Sequence, residues 1–271
     1  MADNHAEWTR FRASFDAGVG DGLSIGVIAL AEDRASVWDL GRFLSDLPGV
    51  GIFSTRLAMA AEVTPETLAA MRHHLGDAAS TLLPSSRLDA VAFSCTSGTV
   101  AIGVAEVHAA IASGRPGVPI STPIEAGVQA LRAFNASRIA LLTPYRPPTA
   151  ALVDRFFQEQ GIGVRARTTF DLSGDLDMNR VSARSLLEAG QSCVEDAGDV
   201  DALFVSCTGL RTSPVVEALE QRLQIPVISS NQALAWHCLR LSGNVSPLDG
   251  HGSLFRLSAA HGPSTGSGSA R

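Results

Sequence analysis

An internal repeat narrows the fold of this chain more than any other feature. Leu88-Asp89-Ala90-Val91-Ala92-Phe93-Ser94-Cys95-Thr96-Ser97-Gly98 returns as Val200-Asp201-Ala202-Leu203-Phe204-Val205-Ser206-Cys207-Thr208-Gly209. Upstream, Ser24-Ile25-Gly26-Val27-Ile28 pairs with Arg138-Ile139-Ala140-Leu141-Leu142. Downstream, Gly117-Val118-Pro119-Ile120-Ser121 pairs with Gln224-Ile225-Pro226-Val227-Ile228-Ser229. Cys95 and Cys207 stand 112 residues apart, a length that suits one duplicated unit. A chain of 271 residues has room for about two such units, each with its own core.

The repeat sits in a regular alternation of short apolar runs and longer amphipathic stretches. The runs are Ser24–Leu30, Gly49–Phe53, Ala90–Ser94, Val118–Ser121, Arg138–Thr143, Ile162–Thr169, Ala202–Ser206 and Pro226–Ser229. Several are apolar at nearly every position, as strands buried on both faces are. Between them, Thr64-Pro65-Glu66, Thr212-Ser213-Pro214 and Ser230-Asn231 are expected to open helices, with a small polar cap ahead of the first turn. Strand–helix alternation predicts parallel sheets with right-handed crossovers, an α/β fold. The first half takes residues 22–122 together with 230–258, and the second takes 123–229. Residues 1–21 form an N-terminal extension, and the Gly/Ser/Thr-rich residues 262–271 read as a flexible tail or an artificial appendage. In sheets of this kind ligands sit at the carboxyl ends of the strands, where both Cys-Thr turns fall.

Composition removes several classes of function. The net charge of −6, with no dense basic run, argues against nucleic-acid and anionic-membrane partners. No apolar stretch approaches the roughly 20 residues of a membrane helix. The first 22 residues, with Trp8, Arg10, Phe11, Arg12, Phe15 and Asp16, lack the apolar core of a signal peptide. The expected location is therefore cytoplasmic, with thiols reduced. All 21 basic residues are Arg, which excludes a lysine Schiff base on this chain. No CxxC pair and no histidine spacing supports a metal site. No Gly-x-Ser-x-Gly elbow is present, and Gly18-Val19-Gly20-Asp21-Gly22 precedes the first strand, where a dinucleotide loop cannot lie.

The four cysteines divide into two kinds. Cys193 and Cys238 lie within helical stretches and read as small core hydrophobes, as does His237 as a packed residue; His73-His74 reads as solvated. Cys95 and Cys207 each end an apolar strand and begin a turn of small residues. A helix N-terminus after each turn would offer free N–H groups and lower the thiol pKa. Two such thiols, related by the repeat, would meet one cleft from opposite sides and could move a proton or a bond between two faces of a carbon.

With these residues in hand, the chain resembles the aspartate/glutamate racemase superfamily, through Ser94-Cys95-Thr96-Ser97-Gly98, Leu142-Thr143-Pro144-Tyr145 and Ser206-Cys207-Thr208. Within it the chain is similar to the branch of maleate cis-trans isomerase, arylmalonate decarboxylase and the ectoine-utilisation protein EutA. The EutA likeness rests on Ser54-Thr55-Arg56, Arg115-Pro116-Gly117-Val118-Pro119 and Ser229-Ser230-Asn231-Gln232-Ala233-Leu234-Ala235-Trp236. The resemblance implies two Rossmann-like domains about a pseudo-twofold axis, no cofactor and no metal. It implies Cys95 and Cys207 as the catalytic pair, and a substrate carboxylate held by Thr96, Ser97, Gly98, Thr208 and Gly209, with Tyr145 at its side. Arylmalonate decarboxylases keep only the second cysteine, so the presence of both points to isomerisation or racemisation.

Two positions depart from the maleate isomerase pattern. Where that branch carries Asn, the chain aligns Asp33 and Asp175. An ionised carboxylate accepts hydrogen bonds and repels a second carboxylate, so a substrate with an ammonium or other donor group becomes the expectation. The plain alternative is that both aspartates cap helices and face solvent. The function expected is a racemase or epimerase of a small carboxylic acid, in ectoine or hydroxyectoine breakdown. The rivals are a maleate isomerase with a covalent Cys95 adduct and a non-catalytic small-acid sensor; whether the chain forms a homo-oligomer is left open.

Overall fold

The computed structural model describes residues 8–257; residues 1–7 of the extension and the 262–271 tail lie outside the described residues. All eight apolar runs form strands: β1 (Leu23–Leu30), β2 (Val50–Leu57), β3 (Ala90–Phe93), β4 (Ile120–Ser121), β5 (Arg138–Tyr145), β6 (Gly163–Leu172), β7 (Ala202–Val205) and β8 (Val227–Ser229). They make two four-stranded sheets in the orders β2-β1-β3-β4 and β6-β5-β7-β8. Every pairing is parallel, so each sheet is the other shifted by four strands. The repeat in the sequence is a repeat of topology.

Burial explains the two kinds of strand. All eight residues of β1 are buried, as are all four of β3 and of β7, because helices cover both faces of the central strands. Edge strand β6 alternates between more and less exposed residues along much of its length. The repeated aspartate serves register. Asp89 Oδ2 accepts the Ser24 N–H at 2.8 Å, while Asp201 Oδ2 accepts the N–H groups of Ser137 and Arg138 at 2.9 and 2.8 Å. In both halves it therefore pins the start of the neighbouring central strand.

The helix starts follow the expected chemistry in two of three places. Thr64 caps helix Pro65–Ala70, with Pro65 in its first turn. Helix Ser230–Leu241 is capped by Ser229 in a capping box with Gln232, so the cap falls one residue earlier than expected and leaves the Ser230 hydroxyl for other partners. Thr212 does not cap a helix: the helix there is Val216–Leu223, preceded by a turn. The Thr212 hydroxyl instead donates to the buried Asp39 carboxylate, which also takes the Thr212 N–H at 2.7 Å. A carboxylate from the first half has claimed the groups that capping would have used.

The helix after each sheet's last strand reaches the other half. Helix Ser230–Leu241 packs against β3 and β4, and helix Pro123–Ala133 packs against β8. Gly127 lets the same helix come close to β7 as well, since a Cβ there would stand 2.6 Å from the Phe204 ring. This exchange brings the carboxyl ends of β3 and β7 face to face.

Candidate active site

Cys95 and Cys207 each lie just beyond the carboxyl end of a central strand, and both line one chamber. Cys95 is the N-cap of helix Thr96–Ile102, and its Sγ accepts the Gly98 N–H at 3.2 Å. Cys207 Sγ accepts the Gly209 N–H at the same distance, but no helix follows: residues 208–210 form a turn and bend, and Cys207 itself has a φ of 103°. That left-handed backbone costs a non-glycine residue on the order of 1–3 kcal/mol, so the surroundings must hold it.

They do so with a cross-linked set of polar groups. Ser230 Oγ accepts the Cys207 N–H at 3.1 Å and the Thr96 hydroxyl at 2.8 Å. Thr208 Oγ1 donates to the Ser94 carbonyl at 2.9 Å, tying the second turn to the first half. Asn231 Nδ2 donates to the Thr208 and Leu210 carbonyls and to Asp39 Oδ2, all within 3.1 Å. Ser230, Asn231 and Asp39 were not expected as site residues. Part of the signal was present, since Ser230, Asn231 and Gln232 open a helix that is otherwise mostly apolar, whereas the burial of Asp39 beside Leu40 and Phe43 shows only in the fold.

The chamber wall includes Asp33, Cys95, Thr96, Ser97, Tyr145, Asp175, Cys207, Thr208 and Gly209, with Leu30, Val63 and Leu68 supplying an apolar side. Gly98 does not line it; its N–H is spent on the Cys95 sulfur. Thr96 and Thr208 direct their hydroxyl protons across the interface, while the Ser97 hydroxyl stands against Cys95 and the Tyr145 hydroxyl against Cys207. The space open to water centres is about 10 Å³, which holds roughly one water. The chamber is closed.

Asp33 and Asp175 are both buried, at 5% and 9% exposure, so neither faces solvent. Asp33 does cap: its Oδ1 accepts the Ala35 and Ser36 N–H groups at 2.7 and 2.9 Å, and Ser36 Oγ donates to its other oxygen. Asp175 begins helix Asp175–Met178, and among the described residues no group donates to its carboxylate. Burial, then the neighbouring Asp33 and Glu32, push its pKa up to about 6.

The thiols depart from expectation. Burial, then Asp175, push Cys95 up to about 12, against the opposing Gly98 N–H and Ser97 hydroxyl. Cys207 is raised by burial and then by Asp175, against the Tyr145 hydroxyl and the Gly209 N–H. Loss of water and the Asp175 carboxylate outweigh the N–H groups of the turns, so both thiols are neutral in the closed chamber. Tyr145 is also raised well above its ordinary value, by burial and by both cysteines. Cys193 and Cys238 are fully buried away from the chamber; His237 is buried and bonded to Ser121 at 2.8 Å, and His73 and His74 are exposed.

Two duplicated parallel sheets enclose one chamber, and each contributes one cysteine to its wall. The sequence pattern of the arylmalonate decarboxylase (Amdase) family matches residues 47–255, and the chain belongs to that family. A maleate isomerase of Nocardia farcinica is 26% identical over 246 residues, 87% of this chain and 96% of its own length. The arylmalonate decarboxylase of Bordetella bronchiseptica is 31% identical over 140 residues, 51% of this chain and 58% of its own. Among solved structures, a Cys-to-Ser variant of the Nocardia farcinica maleate cis-trans isomerase, holding a covalently bound succinylcysteine intermediate, superposes with a TM-score of 0.78 at 25% identity. That match covers 86% of this chain and 98% of the other. No helix among the described residues is long and apolar enough to cross a membrane.

Proposed function

We propose that the protein is a cofactor-independent racemase or epimerase of a small carboxylic acid bearing an amino or hydroxy group, with Cys95 and Cys207 as the acid/base pair. One thiolate takes the proton alpha to the carboxylate, and the C–H electron pair moves into the carboxylate to give an enediolate. The opposite thiol returns a proton on the other face, so the two sulfurs exchange protonation states. Ser97 and Tyr145 supply hydroxyl donors to the carboxylate as negative charge builds on it.

The observation that carries this reading is the pair of aspartates beside the thiols. Asp175 raises both thiol pKa values in the closed chamber. A substrate ammonium paired with Asp175 and Asp33 cancels that push and makes one thiolate accessible; a second carboxylate would strengthen it. The chamber therefore favours a donor-bearing acid over a plain dicarboxylate. The likeness to EutA fits such a substrate and supports a role in ectoine or hydroxyectoine breakdown. The carboxylate is the partner the site is shaped for.

The second reading is maleate cis-trans isomerisation, favoured by the succinylcysteine adduct in the Nocardia farcinica relative. There Cys95 sulfur would bond to one alkene carbon while Cys207 protonates the other; rotation about the resulting single bond and loss of both groups would give the trans acid. Proton NMR in D2O of maleate, aspartate and a panel of 2-amino and 2-hydroxy acids separates the two. Deuterium at the alpha carbon of a saturated acid supports the racemase; conversion of maleate to fumarate with no exchange in the saturated acids overturns it.

A further inference from the structure

A second, larger hollow lies beside the closed chamber, and the same two segments line both. Asp33 and Asp175 line the chamber, while their neighbours Arg34, Leu176, Asn179 and Arg180 line the hollow, together with Trp38 and Arg211. The hollow leaves about 400 Å³ open to water centres, against about 10 Å³ within. Asn179 is the partition. Its Oδ1 accepts the Arg34 N–H at 3.2 Å, and its Nδ2 donates to the Glu32 carbonyl at 3.1 Å, clasping residues 32–34 of the first half to the helix that begins at Asp175.

The charge changes sign across that partition. Inside are two buried carboxylates; outside are three exposed guanidinium groups, which outnumber the exposed carboxylates Glu32 and Asp177 on the same segments. Arg34 has no carboxylate partner among the described residues, Arg180 approaches Asp177 only to 4.0 Å, and Arg211 donates to the Val181 carbonyl at 3.2 Å. Most of their donors are therefore open to solvent. On a protein of net charge −6, a ring of three cations is where the local field favours an anion. Half-exposed Trp38 and Leu176 give it an apolar floor.

We propose that this hollow is the vestibule of the chamber, in which Arg34, Arg180 and Arg211 gather a small carboxylate before it passes the Asn179 clasp to the thiols. The proposal rests on the carboxylate reading above for its biological ligand, but its geometry can be tested without turnover. Iodoacetate and iodoacetamide alkylate a thiol alike and differ in charge, so their rate ratio at Cys95 and Cys207 reports the field along the path. The ratio is measured by peptide mass spectrometry for the full chain and for the combined variant Arg34→Gln/Arg180→Gln/Arg211→Gln, with circular dichroism confirming that the variant is folded. The iodoacetate-to-iodoacetamide ratio is expected to fall about 10-fold in the variant at low salt while the iodoacetamide rate holds. In the unaltered chain the ratio is expected to decline towards the variant's value as salt rises to roughly 0.3 M, where the screening length is only a few ångströms. An unchanged ratio overturns the vestibule, whether or not any carboxylate is turned over. Equal changes in both rates also overturn it, because they mean a shifted wall and not a lost field.

Discussion

The hydroxyl of Ser230 accepts the backbone N–H of Cys207 at 3.1 Å. The same oxygen accepts the Thr96 hydroxyl, one residue from Cys95, so a single side chain joins the two cysteine turns. It lies on a helix that follows β8, the last strand of the second sheet, and packs against the first sheet. The relative placement of the two thiols depends on it.

Ser230→Ala is therefore expected to lower kcat by about 10- to 100-fold while KM changes little, because the positions of the sulfurs shift and the ligand-facing groups remain. The buried Cys207 N–H left without an acceptor costs about 1–3 kcal/mol in urea unfolding. Loss of stability with kcat unchanged would show that Ser230 serves the fold alone.

Changing Asp33 and Asp175 together to Asn is expected to shift preference towards a plain dicarboxylate, by about 5- to 150-fold in relative specificity for a repulsion of roughly 1–3 kcal/mol. Competition between maleate and aspartate as ligands, measured on both proteins, checks it. An unchanged ratio would mean that these carboxylates do not face the ligand's second group.

Asp175 also predicts a pH dependence of stability. Its folded pKa, about 6, lies above the ordinary value of 3.8, so the folded state binds the proton more tightly than the unfolded chain does. The stabilisation this gives is fully present below pH 4 and is lost as pH rises through about 6. The rise from 3.8 to about 6 corresponds to roughly 3 kcal/mol. Asp175→Asn should accordingly stabilise the protein by an amount approaching that at pH 8 and by little at pH 4, read from urea midpoints. Equal effects at both pH values would contradict it.

Much of the fold was legible because central strands of parallel sheets are apolar on both faces and carry their own signature, as β1 and β7 do. The cysteine turns were legible because the repeat marks them. What escaped the sequence depends on contacts between the halves. Thr212-Ser213-Pro214 reads as a helix start until Asp39, 173 residues away, takes its donors. The turn after Cys207 looks like its partner after Cys95, yet Asn231 and Asp39 hold it in a strained form with no helix behind it. The thiol pKa values could not be read from local turns, because water exclusion and Asp175, which comes from a different segment, decide them. Asp33 and Asp175 illustrate the same limit. Asp33 both caps a helix start and lines the chamber, so the two roles do not exclude each other.

The proposed function requires Cys95 and Cys207 to work as a pair on one carbon. The direct measurement is alpha-deuterium uptake in D2O by whichever amino or hydroxy acid the unaltered protein exchanges, repeated with Cys95→Ser and Cys207→Ser, and with Cys193→Ser and Cys238→Ser as controls. Each of the first two variants is expected to lose most racemisation while remaining folded, and the two controls are expected to keep it. Full activity in either Cys95→Ser or Cys207→Ser would contradict the two-thiol mechanism.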